Sequence, residues 1–147
     1  MTACDRPWRA AALGLAALLP AACAAPGPPA PFAGAWTSGA QQRIAFRPDT
    51  VVIASPDAPP TPLSAASCDG TFRFGYGRES RGTLLGLPLH QPDVQRELAA
   101  ILRAPEYPVA SVMCGEGGTV YVLLDADDLL AIHRDRDIAG IEHLRRL

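Results

Sequence analysis

The spacing of proline and glycine constrains this chain more than any other feature. Fifteen prolines and thirteen glycines punctuate its 147 residues, which leaves room for short strands and little for long helices. Between the breaks, period-two alternation is the dominant pattern. Arg43 to Arg47 (RIAFR) sets Ile44 and Phe46 on one face, Pro48-Asp49 makes a turn, and Thr50 to Ser55 (TVVIAS) supplies a β-branched second strand. The intervening loop is short enough for a hairpin. Pro56 to Pro62 (PDAPPTP) is expected to be a loop, since its prolines cannot serve a central ladder. Asp69 to Tyr76 (DGTFRFGY) places Phe72, Phe74 and Tyr76 on one face, with Arg73 and Gly75 on the other. Thr83 to Leu87 is expected as a fourth strand.

One helix stands out. Pro92-Asp93 opens it with a proline in the first turn and an early acid. Val94, Leu98, Ile101 and Leu102 then share one apolar face, and Pro105 ends the segment. Strand patterns resume with Val109 to Met113, Thr119 to Leu124 and Leu129 to His133, separated by Gly115 to Gly118 and Asp125 to Asp128. Ile141 to Leu147 suits either a last strand or a short helix. The expected fold is mainly β, all-β or α+β: an antiparallel meander forming a small curled sheet or barrel, with one helix inserted near residues 92–103.

The start of the chain obeys a different logic. Arg6 and Arg9 precede a short apolar run, Ala10 to Leu19, and Pro20-Ala21-Ala22 lead into Cys23. The run is too short to span a bilayer as a mature helix, so cleavage of a signal peptide is expected. Leu19-Pro20-Ala21-Ala22-Cys23 resembles the lipobox of bacterial lipoproteins, with Pro20 standing where leucine is usual. That resemblance implies lipidation of Cys23 and attachment to the membrane through the acyl chains. Ala24, a non-aspartate, implies by the same resemblance an outer-membrane protein facing the periplasm. The alternative is ordinary cleavage after Ala24 of the A-x-A site Ala22-Cys23-Ala24, which would leave a free periplasmic protein beginning at Ala25. The organisation expected is a leader over residues 1–22, a proline-rich tether over 23–33 and a single β-rich domain over 34–147.

Cysteine usage follows from this address. With Cys4 removed and Cys23 lipidated, Cys68 and Cys114 remain, and an oxidising compartment favours their pairing. Neither lies in a C-x-x-C pair, which argues against a redox or metal role.

Gly34-Ala35-Trp36, ahead of RIAFRPDTVVI, is similar to the opening of small lipocalin-like domains of bacterial lipoproteins. In that superfamily a G-x-W near the first strand seals one end of the barrel, and a basic residue from the last strand lies across the tryptophan ring. The resemblance implies that Trp36 is that tryptophan and that Arg145 or Arg146 supplies the cation. It covers the first strands and the strand cadence; the helix interrupts the usual meander.

Other constellations are weaker. His133 and His143, with Asp135 beside them, would make a conceivable zinc site if a last hairpin brought them together. Isolated strand histidines are the simpler explanation, and no metal or cofactor is assigned. Arg73, Arg78 and Arg81 lie close in sequence and suit either an anion or a solvated hairpin tip. Asp125, Asp127 and Asp128 lack the register of a calcium loop and suit a tight turn. A net charge of −2 with interleaved signs excludes nucleic acid as a partner. Phe72, Phe74 and Tyr76 would face inward, filling the core or lining an apolar pocket. No catalytic set emerges. A binding module for a small apolar ligand or an envelope protein is expected, with a structural spacer as the alternative.

Overall fold

Nine antiparallel strands make one continuous sheet in the computed structural model, which describes residues 29–39, 41–136 and 138–147. In chain order they are β1 (Ala35–Ser38), β2 (Arg43–Phe46), β3 (Val51–Ser55), β4 (Ala58–Pro62), β5 (Phe72–Ser80), β6 (Glu106–Cys114), β7 (Gly117–Leu123), β8 (Asp128–Asp135) and β9 (Ile138–Arg146). The spatial order is β4-β3-β2-β1-β9-β8-β7-β6-β5. Two meanders therefore meet where the first strand pairs with the last, and the β4–β5 connection carries the chain from one sheet edge to the other. The leader, Cys23 and most of the tether lie outside the described residues.

The sheet curls into a half-barrel. Six strand spacings separate β2 from β5, about 29 Å if the sheet were flat. Yet the Tyr76 hydroxyl of β5 donates to the Arg47 carbonyl, just past β2, at 2.5 Å. Alternation then gives this curved sheet two cores. The concave face carries Trp36, Ile44, Phe46, Val51, Val112, Tyr121, Leu129 and Leu144. The convex face of β6 to β9 carries Val109, Val122, Leu130 and Ile132, packed against Leu84, Leu89, Leu98 and Leu102. Burial on both faces explains why Leu129 to Ile132 is an unbroken apolar run.

The convex core depends on helices. The predicted helix forms as α2 (Pro92–Ile101), with Leu98 and Leu102 fully buried. A second, short helix departs from expectation. Thr83 to Leu87 is not a strand; α1 (Arg81–Leu85) occupies most of it. Ser80 caps α1 by accepting from the Thr83 backbone N–H at 3.0 Å. Arg81 reaches across to donate to the Leu102 and Ala99 carbonyls, satisfying the C-terminal end of α2. Those long-range bonds, invisible in local alternation, select the helix.

Two boundaries also move. Residues 58–62 are not loop: they pair with β3 as the edge strand β4, where prolines cost no second ladder. Ile138 to Arg146 resolves the ambiguous C-terminal segment as a strand. At the other end, Ala30–Phe32 form a 3-10 turn and Phe32 is 2% exposed. Packing thus begins inside the stretch expected to be tether.

Candidate functional site

Trp36 lies on the concave face of β1, directly opposite Arg146 of β9, and is fully buried. The Arg146 guanidinium sits 4.3 Å from the ring centroid, a cation–π contact. It also donates to Ala126 at 2.7 Å, to Pro31 at 3.1 Å and to the Ala33 carbonyl. One side chain thus joins the N-terminal turn, the tryptophan and the β7–β8 turn. Gly34 is required here: its φ is +100°, and a Cβ would come within 3.2 Å of the guanidinium. Arg145 does not share this role. It is one residue out of phase, opposite Thr37 and Asp128, and its guanidinium approaches the Asp128 carboxylate at 3.5 Å.

From Trp36 a chain of aromatic rings crosses the concavity. The Trp36 indole donates to the Phe32 carbonyl at 3.4 Å, and the Phe32 ring packs 5.3 Å from Phe46 and 5.4 Å from Tyr76. Phe46 meets Tyr121 edge-on at 5.1 Å, and Phe74 meets Tyr76 at 4.9 Å. Trp36, Phe32, Phe46 and Tyr121 are buried, whereas Phe72, Phe74 and Tyr76 on β5 are only half-buried. The predicted stripe therefore does face inward, but at the open margin of the sheet. Phe32 was missed as a member of this core because it follows a proline-rich run. Its spacing of four residues before Trp36 is the signal that marks it.

Burial raises the hydroxyls of Tyr121 and Tyr76 to pKa values of about 12, with Glu142 and Asp49 respectively adding like-charge repulsion. Their pKa in the unfolded chain is near 10. Stability is then complete below pH ~10 and falls as pH rises towards ~12, because only the unfolded state ionises in that window. Tyr121, the more buried, is expected to account for about 2–3 kcal/mol of the loss. Denaturant midpoints measured across this range, with Tyr121→Phe flattening the decline, check it.

The histidines do not converge. His133 is opposite Gly140 and His143 opposite Leu130, so register places them on opposite faces of the sheet. His133 Nδ1 lies 3.0 Å from the Thr119 hydroxyl and its Nε2 3.7 Å from Glu142; His143 Nδ1 lies 3.0 Å from Asp128. Among the described residues no three His, Cys, Asp or Glu side chains are grouped to hold a metal. The arginines separate as well: Arg73 faces Met113, Arg78 pairs with Glu106 at 2.6 Å, and Arg81 caps α2. Asp125 accepts from the Asp127 backbone N–H at 2.9 Å, as a turn aspartate does.

Cys68 and Cys114 are joined in a disulfide, with S–S at 2.03 Å. Beside it lies an open cleft of about 860 Å³ whose rim mixes Asp69, Glu116 and Asp135 with Arg134 and Arg136. No family model matches this chain, and no curated protein or solved structure is significantly similar to it.

Proposed function

We propose that this chain is a lipid-tethered module of the bacterial envelope that binds a protein partner. Two features support the reading. The leader ends in a lipobox-like run at Cys23, which supplies an anchor, an outer-membrane address and an oxidising compartment for the Cys68–Cys114 bridge. The second feature carries the choice of partner. The concavity is filled by Phe32, Trp36, Phe46 and Tyr121, which a small apolar ligand would have to displace. Side chains still accessible lie at the edge strand β5, where Phe72, Phe74 and Tyr76 are half-exposed and, among the described residues, only one ladder is formed. Main-chain groups along such an edge give affinity to an added strand, and the exposed side chains give it specificity.

Intact mass tests the anchor: a chain beginning at Cys23 with acyl groups is expected, and an unmodified chain beginning further on would overturn it. A photo-crosslinking phenylalanine analogue in place of Phe74, which keeps the aromatic ring and leaves Gly75 and Gly77 bare, tests the edge in the bacterial host. It should yield a discrete protein adduct, while the same probe at Thr61 on β4 yields none. No adduct at Phe74 would sink the interaction reading.

A further inference from the structure

The two edges of the sheet are built differently. β4 is blunted by Pro59, Pro60 and Pro62 and by a shift of register between Ile53 and Ser55 of its neighbour. β5 has no such protection. It runs nine residues without a proline, and its convex side carries two glycines, Gly75 and Gly77. Glycine weakens a strand interior, and among the described residues nothing calls for it here: a Cβ at either position meets none of their atoms within 4 Å. Bare backbone at a strand edge suits the close approach of another backbone.

The charges on β5 then select the strand that fits. Arg73 and Glu79 both project to the convex side and are opposite Met113 and Tyr107 of β6. Neither forms an ion pair among the described residues. Set antiparallel to itself about Tyr76, β5 brings Arg73 opposite Glu79 twice, and Gly75 opposite Gly77 twice. On the concave side Phe74 meets Arg78. Slipping the two strands by two residues, the smallest shift that keeps every side chain on its own face, sets Arg73 against Gly77 or Glu79 against Gly75 and loses both charge pairs.

We propose that β5 pairs with β5 of a second copy of this chain, antiparallel and centred on Tyr76. The inference rests on the reading of the module as a protein binder and names its partner. Tyr76 is already held by its bond to Arg47, so the edge is presented in a fixed register.

Charge reversal in the full chain tests it, read by the Phe74 adduct in cells and by sedimentation of the purified protein. The adduct should have twice the chain mass. Arg73→Glu and Glu79→Arg should each weaken dimerisation roughly tenfold, because each places two like-charge pairs at the seam. The double variant, Arg73→Glu with Glu79→Arg, should restore it. Thermal midpoints of the single variants should stay near the parent, since both side chains lie at the surface edge. An adduct of any other mass, or singles that weaken binding without rescue by the double, would overturn self-pairing and leave the protein-binding reading standing. Absence of any adduct would overturn both.

Discussion

Trp36→Ala is expected to lower stability by about 3–5 kcal/mol, the range for truncating a large buried aromatic. The ring is fully buried at the junction of β1 and β9, the ladder that joins the two meanders among the described residues. Its loss leaves a cavity there and removes the surface under Arg146, whose charge then lies against an apolar void. It also removes the indole donor from the Phe32 carbonyl and so loosens the aromatic chain towards Tyr76. Trp36→Phe should cost less, since it keeps a ring beneath the guanidinium and gives up the indole bond. Equilibrium denaturation of the three proteins checks this. A loss under about 1 kcal/mol for the alanine variant would mean that the seam repacks and that Trp36 is no keystone.

What the sequence made legible was local. Alternation in RIAFR and TVVIAS located the first hairpin, and the Val94-Leu98-Ile101-Leu102 face located α2, because each period is printed in consecutive residues. The pairing of Cys68 with Cys114 followed from compartment and arithmetic. What stayed hidden depends on distant partners. Thr83 to Leu85 became helical because Arg81, beyond the local Ser80 cap, finds carbonyls 18 and 21 residues away. Residues 58–62 became a strand because their place at the sheet edge asks for one ladder, a fact of topology. The choice between Arg145 and Arg146 turned on register: adjacent residues of a strand face opposite ways, and only the pairing Trp36–Arg146 settles which one turns inward. The half-exposed stripe on β5 was visible as a pattern, but its position at an edge was not.

Removing the Cys68–Cys114 bridge is expected to cost about 2–4 kcal/mol, and to lower the thermal midpoint by roughly 10 °C. Its sequence separation is 46 residues, so in the chain-entropy account closing that loop removes about 4 kcal/mol of freedom from the unfolded chain, an upper bound on the gain. Its position matters as much as its loop length. Cys68 belongs to the connection that crosses from the β4 edge to the β5 edge, and Cys114 ends β6 directly opposite Phe72, the first residue of β5. Backbone bonds reinforce the same corner, with Gly115 N–H donating to the Thr71 carbonyl at 3.0 Å. The bridge therefore fastens the start of the edge strand to β6, its one neighbour in the sheet among the described residues. Reduction should loosen this corner before the rest: amide exchange should rise first from Leu63 to Phe74 and last at Leu129 to Ile132 in the centre of the sheet. An unchanged midpoint on reduction would show that the corner is held by its backbone bonds alone. A drop accompanied by uniform exchange would show instead that the bond acts on the whole fold, with no special hold on β5.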